Sequence, residues 1–228
     1  MTEHLVFALV APMGAFGDLA GHEWRGSQGW PGRSAILGLI GAALGIRRDD
    51  PEGQAALNTW KMAVSVLEQG PVLNDFHTVQ TVPSARIKHP ATRAEALRAL
   101  HHGDNGVITR RAYRMDCAFG VALWGGDAAA LETALKAPHF VPYLGRKSCP
   151  LSAPMAPKRL EAEGPLQALA QITLPPFLAI DPAAPVFVAS DIPLGAGRSE
   201  TRHDIPLDRQ KWHFAPRKVH IHQPEDQP

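Results

Sequence analysis

Leu5-Val6-Phe7-Ala8-Leu9-Val10, ended by Pro12, Gly14 and Gly17, decides how the fold is read. An apolar run of this length without polar alternation is the pattern of a strand covered on both faces. Residues 18–32, with Trp24, Trp30 and repeated glycines, read as an ordered loop. Helical spacing follows over 34–46, where Ile36, Leu37, Ile40 and Leu44 form an apolar stripe. Gly38, Gly41 and Gly45 lie on a small-residue strip, which predicts close approach of a sheet or neighbouring element, since glycine otherwise weakens a helix.

Downstream, Asp50-Pro51 opens a short helix over about 51–59. Met62, Val64 and Val66 alternate as a strand, and 72–82 is expected to pair with it across the Gly70-Pro71 turn. A helical piece over 92–100 puts Ala94, Leu97 and Leu100 on one side, and a turn follows at 103–106. Residues 117–124 are strand-like, and 127–136 form a helix with Asp127 as N-cap. This order, with one inserted arm, is close to βαββαβ: an α+β, ferredoxin-like (RRM-like) core in which an antiparallel sheet is backed by helices. The boundaries are a core over 1–160, an inserted arm at about 77–114, and a β-rich extension over 161–228 packed on the same domain. Fifteen of the 21 prolines lie at or after Pro138, so the extension is expected to hold short strands and loops.

The chain has 228 residues, 45% hydrophobic and 20% charged, with a formal net charge of +1. These values exclude disorder and coiled coil for the chain as a whole. Cys117 and Cys149 make no disulfide framework, which favours a reducing compartment. No uncharged stretch reaches the ~20 residues of a bilayer span, and Met1-Thr2-Glu3-His4 lacks the basic residue of a secretory leader. A cytoplasmic protein is expected. The near-neutral total hides an uneven distribution: residues 77–114 carry seven Lys or Arg against two Asp or Glu, together with His77, His89, His101 and His102. Local basicity of this kind attracts a polyanion. Charge alone does not separate that reading from a solvated, arginine-rich loop. The RNA-recognition consensus is absent from the strands, so nucleic acid would be met by loops and arm rather than by exposed strand aromatics. There is no phosphate-cradling P-loop and no HExxH. His220 and His222 alone do not make a zinc site.

Five blocks, in order, carry a resemblance. They are Ala11-Pro12-Met13-Gly14-Ala15-Phe16-Gly17, Pro31-Gly32-Arg33-Ser34, Leu44-Gly45-Ile46-Arg47-Arg48-Asp49-Asp50, Asp75-Phe76-His77-Thr78-Val79, and Pro142-Tyr143-Leu144-Gly145-Arg146-Lys147-Ser148-Cys149-Pro150-Leu151. From residue 5 to about 151 the chain thereby resembles the CasD family of the RAMP superfamily, whose members hold the 5′ handle of the guide RNA (crRNA) in the type I-E CRISPR surveillance complex, Cascade. The resemblance implies that Arg33 and Ser34 face the handle from a helix N-terminus, where free N–H groups favour phosphate. It implies a handle-binding turn at Tyr143, Leu144, Gly145, Arg146, Lys147 and Ser148, which joins a stacking ring, a glycine, two cations and a hydroxyl. It also implies a thumb-like arm crossing the guide strand, with contacts from His77, Arg86, Lys88, Arg110, Arg111 and Arg114.

The partners implied are crRNA, the large and backbone subunits of Cascade, and target DNA near the guide 5′ end through the complex. No membrane, cofactor or metal is implied. The runner-up function is a metal-free endoribonuclease that processes precursor crRNA, with His77, Tyr143, Lys147 and His139 as candidate acid, base and charge stabiliser. In the resembled systems another subunit cuts, which favours binding without turnover in antiviral DNA recognition.

Overall fold

A computed structural model describes residues 1–18, 21, 23–80, 82, 86–87, 90, 92–104 and 106–224. The opening run lies in β1 (Thr2–Gly14) and is buried over 4–11. Leu5, Phe7, Leu9 and Ala11 enter one apolar cluster while Val6 enters another on the opposite face. Two-sided burial is why this stretch shows no polar alternation. β2 (Trp24–Arg25) is a short strand inside the expected loop. α1 (Arg33–Ala43) buries Ile36, Leu37 and Ile40 as its spacing requires. Gly41 packs against Leu57, whereas Gly45 lies beyond the helix at φ +77°. The Ile46 amide donates to Gly41 O (2.8 Å) and the Gly45 amide to Ala42 O (3.3 Å), a Schellman stop that needs this left-handed residue.

α2 (Pro51–Leu57) begins after Asp50, whose carboxylate accepts from the Gly53 amide at 2.9 Å. β3 (Lys61–Glu68) and β4 (Val72–Gln80) then follow. They do not form the expected hairpin. Both pair with the 19-residue strand β5 (Gly106–Trp124), β3 along residues 118–124 and β4 along 106–114. One long strand thus satisfies the backbone groups of two successive ones, and residues 69–71 step along its edge instead of reversing. The other edge of β5 carries β1 from Leu5↔Leu123 to Gly14↔Arg114 and then β2 at Trp24↔Arg110. Within the intervening arm, α3 (Arg93–Arg98) is capped by Thr92. Its buried residue is Ala96, while Leu97 is exposed, because a helix this short on an arm has little core to cover.

α4 (Ala128–Lys136) is capped by Asp127 as expected. β6 (Lys158–Ala162) pairs with β1, and α5 (Pro165–Leu169) follows. β7 (Phe187–Ser190) extends the sheet from β3, and β9 (His213–His222) and β8 (Arg198–Asp208) continue it. The order is β6-β1-β5-β3-β7-β9-β8 in a large, mainly antiparallel sheet. α1 and α4 cover one face and α5 the other. Among the described residues no helix is long and apolar enough to cross a membrane.

Candidate nucleic-acid interface

The lower half of β5 and β4 form a projection, edged by β2 at Arg110 and Arg111, with α3 beyond it. Pairing begins at Val72↔Arg114, ahead of His77, and ends at Gln80↔Gly106. Directly paired residues share a face. Leu73, Asp75 and His77 therefore line one face with Tyr113, Arg111 and Thr109, while Phe76 and Arg110 occupy the other. His77 Nε2 meets the Asp75 carboxylate. Arg86 is committed to Asp104, whose carboxyl is held below its usual range first by that guanidinium and then by the His101 amide. Lys88 lies outside the described residues.

The turn at 143–150 docks against the segment that follows β1. Tyr143 bridges Pro150, the Leu144 amide donates to Cys149 O at 2.8 Å, and the Ala15 amide donates to Leu144 O at 3.0 Å. Gly145 sits at φ +82°, and a Cβ there would lie 1.7 Å from the Ala15 carbonyl oxygen. Only glycine satisfies both conditions. Leu144, expected to touch RNA, is instead fully buried and anchors the turn. Lys147 and Ser148 remain exposed, and Tyr143 is half-buried.

Tyr113, which the sequence reading did not single out, joins the turn to the arm. The Arg146 guanidinium lies 4.6 Å from its ring centroid and donates to Ala112 O at 3.4 Å. Burial raises the Tyr113 phenol pKa, but Arg146, Ser148 and Arg111 together outweigh it and leave the group below its ordinary value. Arg111, Arg146 and Ser148 thus meet at Tyr113, with His77 further along the same face of the arm stem and Lys147 exposed in the turn. Arg25, exposed and paired in register with Arg111, borders the same side. The Nε atoms of Arg111 and Arg114 are buried without a hydrogen-bond acceptor among the described residues. The signal for Tyr113 was an aromatic ring set between Arg111 and Arg114 in the basic arm.

Arg33 is elsewhere and inside. It is 7% exposed; Nη1 donates to Asp191 at 2.8 Å, and Nη2 to the carbonyls of Asn58 and Trp60, each at 2.8 Å. Its amide, at the start of α1, donates to Asp204 Oδ2 at 2.7 Å. Arg217 closes the network with Asp204 (2.6 Å) and Asp191 (2.6 Å). The anion favoured at this helix N-terminus is therefore the protein's own Asp204 from β8, which corrects the expectation that Arg33 offers its charge to phosphate. Ser34 does not cap the helix; it is half-buried, and its carbonyl accepts from Arg209 at 2.9 Å.

The candidate catalytic groups are divided between two regions: His139 packs against Gly45 and Phe140 beyond α1, while His77 lies on the arm. Among the described residues no cluster of three His, Cys, Asp or Glu side chains could hold a metal ion. Both cysteines are buried and free. Burial foremost pushes the Cys117 thiol up to about 12 and also raises Cys149. At pH 8 both are thiols, so a thiolate-selective reagent is expected to leave the native protein unmodified and to label two sites after denaturation. Rapid labelling of the native protein would contradict this placement.

The class defined by this architecture is a mixed α/β protein built on one large, mainly antiparallel sheet, and solved CRISPR structures share it. A chain of a CRISPR RNA-guided surveillance complex superposes with TM-score 0.70 at 26% identity, covering 96% of this chain and 89% of that one. A crystal structure of a Cas protein superposes with TM-score 0.64 at 25% identity, covering 96% and 94%. The family described as CRISPR-associated protein (Cas_Cas5) matches residues 4–220. The CRISPR system Cascade subunit CasD of Escherichia coli (strain K12) is 32% identical over 235 residues, covering 97% of this chain and 96% of the relative. The chain belongs to the Cas5 family of CRISPR-associated proteins.

Proposed function

We propose that this protein is a non-catalytic subunit of a type I-E Cascade complex that binds the 5′ handle of crRNA and helps assemble the complex for recognition of target DNA. The carrying observation is the docking of the Tyr143–Ser148 turn onto the arm stem through Arg146 and Tyr113. That contact sets cations, a hydroxyl and a half-exposed ring on one surface. The similarity to CasD supports the Cascade setting, and with it a cytoplasmic location beside the large and backbone subunits. The strand order β6-β1-β5-β3, with α1 between β1 and β3 and α4 between β5 and β6, supports a ferredoxin-like core. We read the β4–β5 projection as its thumb and β7–β9 as the extension of the same domain.

The chemistry favours Arg111, Arg146 and Lys147 as phosphate donors, with His77 on the face of Arg111 and Arg114 on the opposite one, and Tyr143 as the ring available for stacking. Fluorescence anisotropy with a handle RNA and with an RNA of unrelated 5′ end tests this. The handle should bind more tightly, and log affinity should fall with log salt by about 0.7 for each phosphate neutralised. Tyr143→Ala should lower the preference by about 5- to 150-fold. Equal binding of both RNAs by the intact protein would sink the handle reading. In EDTA, precursor RNA should remain uncut; a new 5′-hydroxyl end would make the protein a metal-free nuclease.

A further inference from the structure

At the end of the sheet opposite the arm, the β8–β9 hairpin overhangs its neighbours. Ala63 pairs with Ser190 and Ser190 with His220, yet β9 starts well before that, at His213. The tip over 209–212 therefore lies past the level where Lys61 pairs with Trp124, and it folds over α1. Arg209 Nη2 donates to Ser34 O at 2.9 Å, and Gly38 leaves room for Nη1, 3.4 Å from where a Cβ would stand. Arg48, exposed beyond α1, lies 5.0 Å from the Trp212 ring centroid. Neither guanidinium makes an ion pair among the described residues, and Arg209 Nε is buried there without an acceptor. Burial, and after it the charge of Arg48, lowers the Arg209 pKa. The nearby Asp208 carboxylate is taken by the amides of Gln210 (2.9 Å) and Lys211 (3.0 Å) and by the Lys211 ammonium (3.3 Å). Trp212 is 59% exposed and sits at φ +56°, a backbone that is strained for so bulky a residue and that holds its indole in water.

We propose that Arg48, Arg209 and Trp212 seat an unpaired strand of nucleic acid other than the guide RNA handle, with its phosphates on the guanidiniums and a base against the indole. A phosphate supplies the anion that the two arginines lack, and a planar base covers the ring. An acidic peptide would satisfy the cations and leave the indole in water. An apolar protein surface would cover the indole and bury the charges without a counterion. The handle turn docks next to the Gly14↔Arg114 pair. From Arg114 to Trp124 the strand spans roughly 30 Å, at about 3.3 Å per residue, which separates the two places. The seat does not rest on the handle-binding reading and stands whether or not the turn holds RNA.

The test titrates short fluorescent oligo(dT) and oligo(U) into the full chain saturated with unlabelled handle RNA. Both should bind, because neither stacking nor phosphate pairing reads the 2′-OH. Log affinity should fall with log salt by about 1.4 for two neutralised phosphates, and Arg48→Gln should flatten that slope by about 0.7. Trp212→Ala should weaken both oligonucleotides by about 5- to 150-fold, whereas Trp212→Phe should keep most of the binding. Both positions are exposed, so these variants should retain the melting temperature of the intact protein. If the handle does not bind, the same variants decide on the free chain. Oligonucleotide binding that saturating handle RNA abolishes, or that Trp212→Ala and Arg48→Gln both leave intact, would overturn the seat. Polyglutamate that binds as tightly as the oligonucleotides, and depends on Arg48 but not on Trp212, would also overturn it and make the tip an acidic-peptide contact.

Discussion

Replacing Arg33 with alanine should cost about 3–5 kcal/mol of stability, the usual penalty for breaking a buried ion pair from one side. The variant leaves Asp191 with Arg217 as its remaining guanidinium partner and removes the donor that serves the carbonyls of Asn58 and Trp60. For a domain of this size each kcal/mol moves the melting temperature by roughly 2–4 °C, so a fall of about 6–20 °C is expected. Arg33→Lys should recover only part of it, because a point charge cannot reach Asp191 and two carbonyls at once. The folded variant should bind handle RNA as the intact protein does. A variant that keeps its melting temperature and loses RNA affinity would instead restore the start of α1 as a phosphate site.

Gly145→Ala should disable the turn. The φ of +82° costs a non-glycine residue about 1–2 kcal/mol, and the added methyl lies 1.7 Å from Ala15 O, a separation no rotamer can relieve. The turn must move off the segment after β1, losing the Ala15-to-Leu144 hydrogen bond (about 1 kcal/mol net) and pulling Arg146 away from Tyr113. Handle affinity should drop tenfold or more while the sheet remains folded. Gly103→Ala, where a Cβ meets nothing within 4 Å, is the control and should be near neutral. Unchanged handle binding by Gly145→Ala would separate the turn from the RNA.

Helix starts were legible where a short stretch of chain contains both partners, whereas the stop at Gly45, read as a packing glycine inside the helix, was not. Asp50 and Asp127 each cap a helix three residues before the amide they accept from. Pairing was not. The partner of β4 is set by the length of β5, and nothing in residues 72–80 encodes that a later strand runs 19 residues. The tryptophans could not be sorted for the same reason: Trp30 and Trp60 are core, whereas Trp24 and Trp212 are exposed.

The sequence by itself determined the two-sided burial of β1, the helices at α1, α2 and α4, the basic arm and the glycine-bearing turn, because each rests on side chains a few residues apart. It also carried the family resemblance. Tertiary structure alone decided what the charges do. Arg33 and Arg146 have the same chemistry and neighbouring glycines, yet Asp191 and Asp204, more than 150 residues away, draw Arg33 into the interior. Arg146 is left over an aromatic ring at the base of the arm. A guanidinium goes to the strongest acceptor within reach, and reach is a property of the folded chain.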